Sequence, residues 1–575
     1  MPPHSPPRSP PPPCSTISAF LRSFDIDPVH GFLPSSWPLP RLPYLAFQAH
    51  EDLAAVLPQL LVSSTARAAI EALPLVKSTS TRNLFNNNEP AQRRALLLFG
   101  GLASAYVWGG GTDVTPRDYL PACIAVPLYE VARMLETCPI LSHQSNCLYN
   151  WKKGASEKAK EKGGNVNRMH NGDEDACSDS DNPSNPLQAQ NLALTFSFTG
   201  DDNERMFYLL SLEIEVVGAR ALPLLETARR AAHHLLKASF PCSWKGDEGE
   251  ENGMKTEQHQ QQQQQQHQQE VYLQQESREV EEKAIIDTLI QVRACIRACQ
   301  SILLSMPRHV DPVFFFHRIR PYLSGWRNNP SVPQGIIYRG VVVGEGEGGG
   351  EVGGGRGQGR GRGREDAGQS SNENEHQQEG DNYSEQELDE RGPRLSYSGG
   401  SAAQSSLLPS LDLYLGVNHD EAGTRSQSSY QFVKAMRAYM PKGHRRFLEA
   451  LEEDVKIEDE EEGREKRMSI RRYVLWRCEE CEGGKEERKE DGLRLVRAYD
   501  GCVEALVAFR MSHLGIVRLY ITHQQGGKGG RKTGGGGLEE AAGGKGTGGQ
   551  APKEFLKPLR DQTAAALLEG KVKGV

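Results

Sequence analysis

Residues 495–521 read LVRAYDGCVEALVAFRMSHLGIVRLYI. At helical spacing Tyr499, Cys502, Leu506, Phe509, His513, Ile516 and Tyr520 form one continuous apolar stripe. The stripe predicts a core helix, and His513 sits in the middle of it. Arg510 lies one turn earlier, so the two side chains point the same way. A neutral imidazole in an apolar wall, one turn from a guanidinium, suits a haem. The imidazole would ligate the iron and the guanidinium would pair with a propionate. The same stripe also reads as plain core with His513 a satisfied core residue, so the rest of the chain decides between the two.

The flanking sequence is mostly helical in pattern. Helical spacing recurs over 52–61, 65–75, 92–108, 120–135, 206–238, 279–306, 314–326, 401–415, 429–436 and 444–451. Pro223 inside the 206–238 pattern predicts a kink. Strand candidates are few and short, at 194–199 and 335–343. The expected fold is all-α with a small β element.

Five biased stretches interrupt this pattern. They are a polar run from Gly154, the glutamine-rich 245–270, the glycine-rich 344–392, the charge run 458–491 and the Gly/Lys run 526–544. None carries enough apolar side chain to offset ordering entropy, so all five are expected as disordered surface loops. About 400 residues remain, a size typical of two domains. The expected division is a Pro-rich tail over 1–18, a small helical domain over 19–153, a polar linker over 154–190 and a large helical domain over 191–575 that carries the later inserts.

Of 575 residues only 37% are apolar, and the formal net charge is −8, which gives no case for nucleic acid as a partner. The 11 scattered cysteines argue against a disulfide framework and for a reducing compartment. The Pro-rich start has no apolar signal core, and no stretch reads as a membrane helix, so a cytoplasmic protein is expected. Three tempting motifs fail on context. Gly344, Gly346 and Gly349 satisfy G-x-G-x-x-G, but more glycine follows where a helix should open. Cys478 and Cys481 lack the second pair that a zinc site needs. The Arg-Gly run from Arg356 is diluted by surrounding acid.

Four further segments carry chemistry. Phe207 and Tyr208 stand one turn before Ser211. The run from Phe314 to Trp326, FFFHRIRPYLSGW, is an aromatic wall leading to Arg320. Residues 398–406, SGGSAAQSS, pair two glycines, which let backbone approach a planar ligand, with small residues that open a helix. Gly546 to Gly549 is a hinge-like loop holding Thr547.

Taken with FDIDPVHGFLP (24–34), LASAYVWG (102–109), LPACIAVPL (120–128), CPIL with NWKK (150–153), GIIYRGV, LDLYLG, MRAYMPKGHRRFLEALE, FRMSHLGIV and KGTGG, these segments closely resemble the indoleamine 2,3-dioxygenase family. The resemblance implies a small N-terminal helical domain over a larger helical domain that holds haem b. It implies His513 as proximal iron ligand, Arg510 as the propionate partner with Asp412 paired to it, and Gly400, Ser401 and Ala402 along the haem edge. It also implies Arg320 for the substrate carboxylate, Phe207 and Phe315 flanking the indole, Ser211 as a small distal hydroxyl, and Thr547 on a closing loop. The activity implied is insertion of both atoms of O2 into L-tryptophan to give N-formylkynurenine, at the head of the kynurenine pathway to NAD. A monomer needing only a reductant to keep the haem ferrous would suffice. This chain departs from the family pattern after CPIL, where His143 and Asn146 replace an aromatic residue and a cysteine and make the pocket floor more polar. A distal His143 could bind iron, meet dioxygen or serve as a hydrogen-bonded pocket residue. The rival reading is an oxygen carrier or sensor of the same fold with weak turnover.

Overall fold

The computed structural model describes residues 16–109, 115–154, 187–239, 257–343, 392–417, 419, 431–453, 457–458, 465–466, 469–481, 486–526 and 552–568. The architecture is all-α. Six helices precede the first strand: α1 (Ile17–Arg22), α2 (Gln48–Ala55), α3 (Leu57–Val62), α4 (Ala66–Glu71), α5 (Ser78–Phe85) and α6 (Glu89–Trp108). There follow α7 (Ala122–Met134), α8 (Asp202–Ala219), α9 (Ala221–Ser239), α10 (Glu257–His309), α11 (Leu407–Leu415), α12 (Lys442–Glu453), α13 (Ile470–Cys481), α14 (Glu486–Val517) and α15 (Pro552–Ala565).

The first core gathers around α6. Asn88 caps this helix by accepting the Ala91 amide, Pro90 occupies its first turn, and Gly109 at φ +63° ends it. Almost every residue from Ala95 to Trp108 is buried against α2–α5 and α7, and against Tyr322, Trp326, Ile336, Tyr338 and Tyr439 from far along the chain. A three-stranded sheet pins that return. β1 (Tyr119–Leu120) pairs parallel with β4 (Ile336–Tyr338), which pairs antiparallel with β5 (Arg394–Leu395). A short antiparallel pair joins β2 (Lys152–Lys153) to β3 (Leu192–Ala193).

The second core is a bundle in which α10 packs against α8, α9 and α14, and α15 packs against α14. The quoted stripe behaves as its spacing demands. Leu495, Tyr499, Cys502, Leu506 and Phe509 are all buried there, at about 1.5–3 kcal/mol for each large apolar side chain. Leu21, Phe24, Ile26 and Phe32 join this core rather than the first one. A third cluster, with Leu209, Leu212, Phe315, Ile319 and Tyr520, lies between α8, the 315–323 segment and the end of α14.

Several sequence expectations change in three dimensions. The expected kink at Pro223 is a break: α8 ends at Ala219, and α9 starts at Ala221, placing the proline in its first turn, where its missing amide costs nothing. The strand expected at 194–199 does not form. The Asn150 carboxamide accepts the amides of Thr195 and Phe196, and the buried Glu204 carboxylate accepts those of Phe198 and Thr199. These donors are therefore consumed by side chains, not by a ladder. The loop expected over 458–491 contains α13, whose Ile470, Tyr473, Val474 and Cys478 fall on one buried face. Arg477 donates to the buried Glu282 at 2.8 Å on α10, so the charges that suggested a solvated run include a buried pair. The glutamine-rich stretch from Glu257 onward is the first part of α10, in keeping with the helix propensity of Gln and Glu. Residues 245–256, 344–391 and 527–550 lie outside the described residues. By length and composition alone, Gln275–His309 could cross a membrane. Its apolar face, from Ile285 through Leu289, Val292 and Ile296 to Leu303, is core.

Candidate active site

Three π-helical turns surround the third cluster: Gln144–Leu148, Phe315–Ile319 and Arg518–Thr522. Such turns widen a helix by one residue and re-aim the side chains at their ends. Each has site residues within it or beside it. His143 precedes the first, Phe315 and Arg320 flank the second, and Tyr520 lies in the third.

Phe207 on α8 and Phe315 meet with ring centroids 4.7 Å apart, and Phe315 packs edge-on to Tyr520 at 5.5 Å. The aromatic wall read from the sequence is thereby assembled from three distant segments. The Ser211 hydroxyl donates to the Phe207 carbonyl at 2.9 Å, so its proton is committed and its lone pairs remain. Arg320 is 5% exposed, stacks over the Phe316 ring at 5.0 Å, and is pulled down to about 10 by burial. A buried cation stacked on an aromatic ring is suited to a carboxylate.

The 397–404 segment lies directly on the 322–326 segment. Trp326 donates to the Tyr397 carbonyl at 2.9 Å. The two backbones approach so closely that a Cβ on Gly325 would sit 2.1 Å from the Gly399 nitrogen. The sequence suggested that the glycine pair admits a planar ligand, but Gly399 instead admits its own chain's backbone. Gly400 faces Asn146, whose Nδ2 is 3.1 Å from where a Cβ on that glycine would be. Ser401 caps the short turn Ala402–Gln404 in a capping box with Gln404.

His513 is half-buried on α14, and among the described residues its imidazole makes no hydrogen bond. Burial and the Arg510 charge push its pKa down to about 4, so the ring is neutral at pH 7. Of the other buried histidines, His50 bonds the Cys123 carbonyl, while His444 packs on the Phe32 ring at 4.8 Å with its Nδ1 also unpartnered among the described residues, and lies away from Arg510. A neutral, uncommitted imidazole fits an axial iron ligand. Arg510 is 5% exposed. It donates to Asp412 Oδ2 at 2.6 Å and to the Thr563 hydroxyl of α15. Asp412 also meets His419 Nε2 at 3.0 Å, and His419 Nδ1 meets Gln562 at 2.9 Å. Burial raises the Asp412 carboxyl, but Arg510 and His419 outweigh it and hold it below its ordinary value. Arg510 has five donor hydrogens, so these two bonds leave some for a propionate.

His143 does not stand free toward an iron. Its Nε2 meets Glu215 Oε1 at 3.0 Å, and its backbone amide donates to Gln404 Oε1 at 2.9 Å. Ser405 donates to the same Glu215 oxygen at 2.5 Å. Burial opposes charge on this ring, but Cys147 and Glu215 outweigh it and the pKa is pushed up to about 10. His143 is therefore a buried residue held by hydrogen bonds to Glu215 and Gln404. Sequence reasoning missed Glu215, Gln404, Ser405, His419, Gln562 and Thr563. Only Glu215 left a local signal: it follows Phe207 and Ser211 at i, i+4, i+8 on one face of α8. Thr547 lies outside the described residues.

A helical fold that sets a neutral, uncommitted histidine one turn from a buried guanidinium suits a haem protein. The sequence profile of indoleamine 2,3-dioxygenase matches residues 20–240, 257–360 and 366–566. The chain belongs to the indoleamine 2,3-dioxygenase family, whose members are haem-dependent dioxygenases. It is 28% identical to indoleamine 2,3-dioxygenase 1 of Rattus norvegicus, over 95% of this chain and 96% of that protein. It is 28% identical to indoleamine 2,3-dioxygenase of Saccharomyces cerevisiae, over 87% and 80%, and 26% identical to indoleamine 2,3-dioxygenase 2 of Homo sapiens, over 96% and 97%.

Proposed function

We propose that the chain is a dioxygenase of L-tryptophan that yields N-formylkynurenine, working as a cytoplasmic monomer with a reductant. When bound, haem supplies dioxygen activation. The protein's part is binding, orientation and exclusion of water. His513 would hold the iron through its uncommitted nitrogen, and Arg510 would hold a propionate, its guanidinium fixed by Asp412 and Thr563. Arg320 binds the substrate carboxylate, and Phe207 and Phe315, packed on each other, present one aromatic wall to the indole. Ser211, its hydroxyl hydrogen engaged on the Phe207 carbonyl, offers only lone pairs and so accepts from the indole N–H. Among the described residues no side chain is placed as a general base.

The observation that carries this reading is Arg320, a buried cation stacked over the Phe316 ring in the segment whose Phe315 packs on Phe207. An oxygen carrier has no use for it. The test is to reduce the haem-loaded protein, add L-tryptophan and air, and follow N-formylkynurenine absorbance. Reversible dioxygen binding with no product would reject the enzyme reading in favour of the carrier.

A further inference from the structure

A cleft of about 410 Å³ opens between α5, α7 and the stretch of chain that follows β4. None of its lining residues belongs to the candidate active site. Gly340, at φ +72°, lays this stretch against α7: a Cβ there would stand 2.8 Å from the Ala122 Cβ and 3.1 Å from Val126 Cγ2. Val341 then turns into the first core, and Val342 is left 78% exposed at the rim. Val126, Tyr129, Val341 and Val342 give the cleft an apolar floor and lip.

The rest of the lining is polar and charged. Glu130 on α7 is buried, and its Oε1 accepts from the Ser78 hydroxyl of α5. Its Oε2 is approached by Arg82 Nε at 3.6 Å and by Arg133 Nη2 at 3.4 Å. Both contacts are long for a charge-assisted bond, which runs at about 2.7–2.9 Å. The two arginine side chains stay 46% and 42% exposed, whereas that of Glu130 is 11% exposed. Two guanidiniums thus share one withdrawn carboxylate, so the lining carries two positive charges against one negative. Each guanidinium has five donor hydrogens in a planar, weakly hydrated fork, a geometry that matches an oxyanion.

We infer that this cleft is a second ligand site, built for a small organic monoanion. The anionic head lies between Arg82 and Arg133, and a compact apolar body lies over Val126, Tyr129 and Val342. This goes beyond the dioxygenase reading and does not rest on it. The volume falls in the range of about 300–1,000 Å³ that small-molecule sites occupy. The lining has the make-up of such sites, an apolar surface with a few convergent charged groups. Charge sets the class of ligand. A single anionic head balances the two arginines together with Glu130. A neutral ligand leaves one cation uncompensated, and a cation is repelled by both guanidiniums.

The test titrates 8-anilinonaphthalene-1-sulfonate, a monoanion on a compact aromatic body, into the full-length, haem-loaded protein and reads the heat of binding. One site is expected, with a Kd on the order of 10–100 μM. Arg82→Gln and Arg133→Gln should each weaken it by about threefold to tenfold. Val342→Glu changes a side chain that is mostly in solvent and puts a like charge at the rim, so it should weaken binding by about threefold or more. Should Arg133→Gln fail to fold because Glu130 has lost a partner, Arg82→Gln and Val342→Glu decide the matter. Absence of saturable one-to-one binding overturns the proposal. A Kd that the variants leave within about twofold also overturns it, because the anion then binds elsewhere. Displacement of the probe by saturating L-tryptophan overturns it too, since that places the anion in the substrate chamber.

Discussion

Replacing Asp412 by alanine tests the proximal side of the site without touching any atom proposed to meet haem or substrate. Asp412 Oδ2 is bonded by Arg510 at 2.6 Å and by His419 at 3.0 Å, with the carboxylate and the guanidinium both nearly withdrawn from solvent. Deleting one partner of a buried ion pair leaves the other charge uncompensated, at about 3–5 kcal/mol. Asp412→Asn keeps an acceptor and should lose only about 1.5–3 kcal/mol. In a folded core of about 400 residues the alanine change corresponds to a fall of roughly 4–6 °C in Tm. Apoprotein and haem-loaded protein should be unfolded in parallel in urea, because bound haem adds its own stabilisation. Asp412→Ala with Arg510→Met should recover part of the loss, because both charges are then gone. The pH dependence follows from the depressed pKa. The carboxylate contributes fully above its unfolded value of 3.8, and the contribution is lost as pH falls through the lower folded value. A loss below about 1 kcal/mol in Asp412→Ala, or strict additivity with Arg510→Met, would show that the pair does not hold the guanidinium in place.

Arg320→Ala should lower kcat/KM for L-tryptophan by about 30- to 1000-fold with haem content intact, while tryptamine, which has no carboxylate, is barely affected. Equal effects on both substrates would make Arg320 a structural residue. His513→Ala should abolish stable haem binding, read from the Soret band of the purified variant; full retention with unchanged ligand spectra would remove His513 as the axial ligand. The His143–Glu215 pair stabilises with the opposite pH sign to Asp412. Its folded pKa is raised from 6.5 to about 10, so its contribution is complete below 6.5 and lost as pH rises toward the folded value. The stability gap between parent and His143→Gln in urea should therefore narrow between about pH 6 and pH 9.5, and a constant gap would mean that the imidazole is neutral throughout.

The sequence alone determined the features that repeat at short range. The stripe through Tyr499, Leu506 and Phe509 specified a buried helix because helical period and apolar character are local properties. Pro223 marked a discontinuity for the same reason, although only the structure shows a helix start there instead of a bend. His513, Arg510 and Arg320 were legible as chemistry because each stands on a recognisable face or beside an aromatic run. Tertiary structure decided what those groups touch. Whether 194–199 became a strand depended on Asn150 and Glu204 taking its amides, and both act from outside that stretch. Whether 470–481 was a solvated charge run depended on Glu282, some 195 residues from Arg477, being present to receive its guanidinium. The partners of Asp412 and His143 come from segments up to 261 residues away, joined only when α8, α11, α14 and α15 pack. A buried hydrogen bond constrains side chains, not sequence spacing, so its partners leave no period to read.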